Sequence, residues 1–192
     1  MQVLDEEKRQ KILAAAAELF ATQPFHKVLL SDVAEAAGVG KGTLYVYFKS
    51  KEDLYFSLFS QGFSKLLASV RQRIAAEPND AMTRLECVIG EYVSFAVQNP
   101  QLFELLGSDA SERPERVQNR RELVTLIESL IREGITQGQF DDSHPELTAR
   151  YIAALLRSVF VCREHHVDPD TVREHLSQFV RKALCCHAKT RV

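Results

Sequence analysis

Apolar residues recur at three- and four-residue steps along nearly the whole chain, the period of helices with one buried face. From Glu6 to Ala21 the repeat is carried by Ile12, Ala15, Ala16, Leu19 and Phe20. It stops near Pro24, which leaves Phe25 free to pack back onto it. A short second helix fits Ser31 to Ala37, with Val33, Ala34 and Ala37 inward, and Gly38 ends it because a residue just past a helix end often needs a positive φ. A third fits Lys41 to Phe48, with Leu44, Tyr47 and Phe48 available to one side. The quartet Ser50-Lys51-Glu52-Asp53 reads as a capping box with Asp in the last place. Beyond it Leu54, Leu58, Phe59, Phe63, Leu66, Leu67 and Val70 keep helical spacing to about Ala76, long enough to bridge two units.

The remainder is helical too, punctuated at Pro78, Pro100, Gly107 to Pro114, Gly138 to Pro145, and Asp168-Pro169. The stretch from Pro145 to about Arg163 is apolar nearly all round, so both its sides must be covered. One side can face the chain's own core and the other a second copy across a two-fold axis. Asp168-Pro169 starts a last helix, with an acid as cap and proline in the first turn, and a stripe of Val172, Leu176, Phe179, Val180, Ala183 and Leu184. No β-like alternation of useful length and no internal repeat is present. The predicted fold class is all-α, a helix-turn-helix three-helix domain over residues 1–50 followed by a larger helical domain over 51–192.

Composition narrows the function classes. The 192 residues are 45% hydrophobic and 26% charged, which excludes a disordered tail and fits a soluble protein. The chain has no apolar run near the roughly 18 residues of a membrane span, and its first ten residues lack the apolar core of a signal peptide. The cytoplasm is the expected location, with no membrane partner. Cys87, Cys162, Cys185 and Cys186 show no C-x-x-C pair, so reduced thiols are expected. Cys162, His165 and His166 resemble half of a zinc site, and Cys185, Cys186 and His187 the other half. A continuous helix between them spans about 25 Å, so neither a metal nor any other cofactor is expected.

The net charge is −2, and the first 56 residues carry 7 basic and 8 acidic side chains, so bulk electrostatics gives no signal for nucleic acid. The local signal differs: residues 36–51 carry Lys41, Lys49 and Lys51 and no acid, and a phosphate backbone feels near charges most because salt screens the rest beyond about 10 Å. Two short helices about a glycine turn, braced by a first, outline a helix-turn-helix. Gly40 and Gly42 keep the front of the third helix thin enough for a major groove about 12 Å wide. Lys41 is placed to reach a base acceptor or a phosphate, and Thr43 to donate to phosphate. Tyr45 and Tyr47 project on opposing sides. Lys51, with the amides at the start of the fourth helix, reads as a second phosphate clamp.

The runs A-A-x-E-L-F (15–20), D-V-A-E-A-A-G-V (32–39) and K-G-T-L-Y-x-Y-F-x-S-K-E-x-L (41–54) resemble the TetR family of bacterial transcriptional regulators. The pattern E-G-I-x-x-G-x-F at 133–140 is similar to the family's C-terminal part. The resemblance implies an all-helical homodimer that binds a palindromic operator in double-stranded DNA and responds to a small-molecule effector, the last two helices of each copy forming the dimer. It implies DNA contacts at Lys41, Gly42, Thr43, Tyr45, Tyr47 and Lys51, with Ser31 on the second helix contributing. Effector-pocket candidates are then Phe59, Phe63, Tyr92, Phe95, Phe103, Tyr151 and Phe160, and dimer-interface candidates Ile152, Leu156, Val159, Leu176, Phe179 and Val180. The implied mechanism is a repressor whose long fourth helix swings when effector binds, taking two recognition helices out of register.

The chain departs from the family pattern in three places: Val28 and Leu29 stand where threonine or serine usually precedes the second helix, Gly40 where serine opens the third, and Pro24 where glycine is common. Ser31 is expected to cap a shortened second helix. Two rival readings are an enzyme built on carboxylates such as Glu86, Glu91 and Glu104, and a dimerising helical adaptor. The first lacks a nucleophile with a base, a phosphate loop or a metal spacing; the second leaves the 41–51 cluster without a purpose.

Overall fold

The computed structural model describes residues 5–100, 114–159 and 167–185. The described residues are helical, with one isolated bridge between Phe140 and Cys185. The chain divides into two compact units, Met1–Phe63 with Asn99–Arg116, and Ser64–Gln98 with Val117–Val192.

In the first unit, α1 (Glu6–Thr22) is capped by Asp5, whose carboxylate accepts from the amides of Glu7 and Lys8. These bonds hold the Asp5 carboxyl below its ordinary range, the amide of Lys8 being the largest cause. Ile12, Leu13, Ala15, Ala16 and Phe20 form the buried face. A single 3₁₀ turn (Phe25–Lys27) follows Pro24. There Phe25 stacks on Phe20 at 5.9 Å, and Tyr55 meets both rings edge-on at 5.1–5.2 Å.

Helix α2 runs Leu30–Ala36, one residue ahead of the sequence expectation. Its cap position is Leu29, which supplies no side-chain bond. Ser31 therefore sits inside the first turn and does not cap the helix; its hydroxyl donates to Asp32 Oδ1 at 3.1 Å. Gly38, at φ +65°, closes α2, with the Gly38 and Val39 amides returning to the carbonyls of Glu35 and Ala34. Helix α3 (Lys41–Tyr47) turns Leu44 inward, and Phe48 just after it is equally buried. Helix α4 (Lys51–Ala76) starts in this unit and ends in the second. Its capping box is closed: the Asp53 amide donates to Ser50 Oγ and the Lys49 amide to Asp53 Oδ2.

In the second unit, α5 (Ala81–Gln98) is capped by Asp80, whose carboxylate takes the amide and hydroxyl of Thr83. These bonds, the hydroxyl's first, hold its pKa below the ordinary carboxylate value. Helix α6 (Pro114–Thr136) ends at Gly138, φ +71°. The chain then reverses and lays the Phe140 ring on Gly134, where any Cβ would collide with it. The Gly134 carbonyl takes the amides of Gln139 and Phe140, so the spacing G-x-x-x-G-x-F is a helix stop with its own hydrophobic lock. Helix α7 (Pro145–Leu156) and helix α8 (Pro169–Leu184) both pack on α5 and on each other. Asp168 caps α8 through the Thr171 amide, with Pro169 in the first turn. Helix α7 closes at Leu156, a turn follows at Arg157, and Ser158 and Val159 are helical again; the rest of the stretch expected to reach Arg163 falls in residues 160–166, outside the described part of the chain.

Candidate nucleic-acid interface

Successive helical residues turn by about 100°, so a residue two places from a buried one faces nearly the opposite way. With Leu44 at 0% exposure, Gly42 and Val46 lie on the outer face of α3, four residues apart. Lys41, Gly42, Tyr45 and Val46 are exposed, and Thr43 and Tyr47 half-exposed at the flanks. Val46, at 49% exposure, is missing from the contact set read off the sequence. Its period-four relation to Gly42 was the signal that locates it.

Of the three glycines around this helix, the backbone requires one. Gly38 has a positive φ, whereas Gly40 and Gly42 do not, and a Cβ at Gly42 would meet nothing within 4 Å. A glycine inside a helix costs about 1 kcal/mol against alanine. The described fold has room for a side chain at Gly42.

The cations divide. Lys41 opens α3 and is exposed. Lys49, just beyond α3, is exposed as well, with Nζ 3.4 Å from the Tyr45 carbonyl. Lys51 is spent differently from the sequence expectation: its Nζ donates to the carbonyls of Phe25 (2.9 Å), Val28 (3.1 Å) and His26 (3.4 Å) and lies 4.4 Å from the Phe25 ring centre. An ammonium has three protons, and all three are directed at the domain's own backbone. The start of α4 is likewise occupied by Ser50 and Asp53, so the two parts of the expected phosphate clamp serve the fold in this structure. The half-exposed Tyr47 also has a partner within the domain, its hydroxyl accepting the Asp5 amide at 3.1 Å. Ser31 is exposed on α2.

The remaining candidates separate by burial. Phe59 and Phe63 are buried in the first unit with rings 5.7 Å apart. Tyr92 is buried and Phe95 half-buried in the second, and burial pushes the Tyr92 hydroxyl pKa far up. Tyr151 is 63% exposed, which moves it from the pocket set to the outer face of α7. Phe103 and Phe160 lie outside the described residues. The second unit carries an open groove of about 580 Å³ between α5 and α8. Its walls are polar rather than apolar, with Arg73 paired to Glu91, Arg181 to Glu86, and Arg173 to Asp170. Cys87 lines it with its thiol pKa raised by burial.

Of the dimer candidates, Ile152, Leu156, Val159, Leu176 and Val180 are buried within the chain itself. Phe179 alone of that set is exposed, at 53%. The exposed large apolar residues of these two helices are Leu147 and Tyr151 on α7 and Phe179 on α8. Among the described residues no group of His, Cys, Asp and Glu is placed to hold a metal, and no helix is long and apolar enough to cross a membrane. Cys162, His165, His166, Cys186 and His187 lie outside them.

A short recognition helix displayed beyond a glycine turn is what a family comparison also finds: residues 12–58 match the model of the bacterial regulatory proteins of the tetR family, and residues 78–161 that of the tetracyclin repressor-like C-terminal domain. The chain belongs to the TetR family. It is a transcriptional regulator by that membership, with the family's helix-turn-helix over α2 and α3. It is similar to the fatty acid metabolism regulator protein of Bacillus subtilis, 29% identical over 140 residues that cover 70% of this chain and 72% of that one. In fold it is similar to the regulator FadR of Bacillus subtilis, solved in complex with stearoyl-CoA (TM-score 0.73, 22% identity, 90% of this chain and 97% of that one). A regulator from Saccharomonospora viridis, solved in complex with choline, has the same fold (TM-score 0.79, 20% identity, 95% and 100% covered).

Proposed function

We propose that this TetR-family protein is a repressor that binds a palindromic operator as a homodimer, one α3 in the major groove of each half-site, and leaves it when a small apolar or amphipathic effector binds. Residues 1–50 are the DNA-binding domain and 51–192 the effector-binding and dimerising one, working in the cytoplasm. The observation that carries the reading is Gly42: a glycine in the first turn of α3, on its outward face, that nothing in the described fold requires. Close approach to base edges explains it. Lys41, Thr43 and Tyr45 flank that approach and supply donors for phosphates and bases, and Ser31 adds one from α2. Tyr47 contributes by holding the start of α1 beside them. The acyl chain of stearoyl-CoA in one relative and the cation choline in another show that one fold takes unlike ligands, so the effector class rests on the buried aromatic rings.

Selection from randomised duplex DNA at moderate salt tests the reading, and should enrich a palindrome. Gly42→Ala then separates fold from function, since its two effects have opposite signs. The variant should unfold at a higher temperature, alanine being the better helix former by at most about 1 kcal/mol, while its affinity for the selected palindrome falls at least tenfold. Wild-type affinity in Gly42→Ala would remove the close approach from the proposal.

A further inference from the structure

We infer that Val46 is a specificity-determining residue that selects a thymine in each half-site through the C5-methyl group. The inference rests on α3 being the groove-entering helix. Val46 lies four residues after Gly42 and two after the buried Leu44, so it is on the face of α3 turned furthest from the core. It is 49% exposed there, and its side chain has no donor or acceptor. A β-branched side chain is a poor helix former, losing χ1 freedom against the preceding turn. Half-exposed in a seven-residue helix, Val46 gains little burial to offset that.

An aliphatic branch at the floor of a major groove can distinguish base pairs in one way. The groove edges of guanine, cytosine and adenine present acceptors and donors that Val46 cannot satisfy, and would be desolvated at a cost. Thymine alone presents a methyl group, which makes an apolar contact with it. The missing side chain at Gly42, one turn earlier on the same face, lets the helix sit deep enough for so short a residue to reach the base edge. Lys41 and Tyr45, longer and polar, stand to the side of that line and are suited to phosphates and base acceptors. The division of labour on α3 is then methyl readout along its centre and hydrogen bonding along its flanks.

The test replaces each thymine of the selected palindrome in turn by deoxyuridine, which lacks only that methyl, and measures affinity of the full-length wild-type protein. One symmetry-related position should lose about fourfold per half-site, the scale of one buried methyl or methylene group. Val46→Ala should bind the palindrome more weakly and be indifferent to deoxyuridine at that position. Val46→Asn, put through the same selection, should replace the A·T preference there by adenine on the strand it faces. Wild-type binding that tolerates every deoxyuridine, a palindrome with no thymine in its half-sites, or unchanged deoxyuridine sensitivity in Val46→Ala would each overturn the inference while leaving the operator reading intact. If no duplex is enriched at all, the operator reading falls and takes this one with it.

Discussion

Lys51 is the residue whose role changed most between sequence and structure. A lysine that follows a cluster of basic residues reads as a phosphate ligand, yet its ammonium is directed at three carbonyls of residues 25–28 and lies against the Phe25 ring. Those carbonyls belong to the single 3₁₀ turn that leads into α2, and α2 has no side-chain cap of its own. By spanning from position 51 to position 25, the side chain clips the two ends of the helix-turn-helix together. A cation at the carbonyl end of a helical turn is also favoured by the local dipole. Lys51→Met should therefore lower stability by about 1–3 kcal/mol, the scale of charged hydrogen bonds lost from partly buried partners, seen as a drop of several degrees in the thermal midpoint. Lys51→Arg should recover little of it, because a planar fork does not present three protons from one atom. A Lys51→Met protein that melts with the wild type but binds DNA more weakly would return the residue to the phosphate backbone. None of this was legible in the sequence, since backbone carbonyls are the same at every position and these lie more than twenty residues away. The same holds for Tyr47, whose partner is the Asp5 amide.

Elements were far more legible than contacts, for a physical reason: period and punctuation are local. Gly38 and Gly138 both adopt the positive φ that a helix stop requires, and the Asp168-Pro169 start and the Ser50 to Asp53 box form as their residue types dictate. Where punctuation was absent, the boundary moved. Helix α7 breaks at Arg157 with neither glycine nor proline nearby, helical residues resuming at Ser158, and α2 begins at Leu30 because the extended Leu29, not a hydroxyl, precedes it. The pattern at 133–140 was visible as a family likeness, and the structure supplies its cause in the Phe140 ring lying on Gly134. That lock also pairs the chain after α6 with the end of α8, the Asp141 amide donating to the Leu184 carbonyl at 3.2 Å. Gly134→Ala should thus destabilise by about 1–3 kcal/mol through overpacking, although alanine favours a helix by about 1 kcal/mol. Chemical denaturation measures it, and Phe140→Leu in the same chain should recover part of the loss. Additive effects of the two changes would show that ring and glycine do not depend on each other.

For the molecule as a whole, a palindromic operator demands two copies related by a two-fold axis, and a two-fold interface is built from one self-complementary patch. Among the described residues, burial within the chain narrows the candidates for that patch. Ile152, Leu156, Leu176 and Val180 already pack inside the second unit, so they support α7 and α8 without being offered to a partner. Leu147, Tyr151 and Phe179 are offered, at 43%, 63% and 53% exposure. On α7 the first two lie four residues apart, one above the other on a single face. Surface apolar residues scattered singly are ordinary, but a pair in register on one helix, with an exposed phenylalanine on a helix that packs against it, suits a four-helix interface between two copies. Hot spots at such interfaces favour tyrosine and other aromatic rings in fully desolvated centres. Tyr151→Glu and Phe179→Glu should each leave the fold intact, since neither side chain is part of the core, while placing like charges opposite each other across the axis. Sedimentation should then show a dimer for the wild type and a monomer for the double variant at micromolar concentration, with the same helical content in both. Affinity for the full palindrome should collapse to that for a single half-site. A double variant that still sediments as a dimer would place the interface on some other face, and the exposed stripe of α7 and α8 would need a different partner.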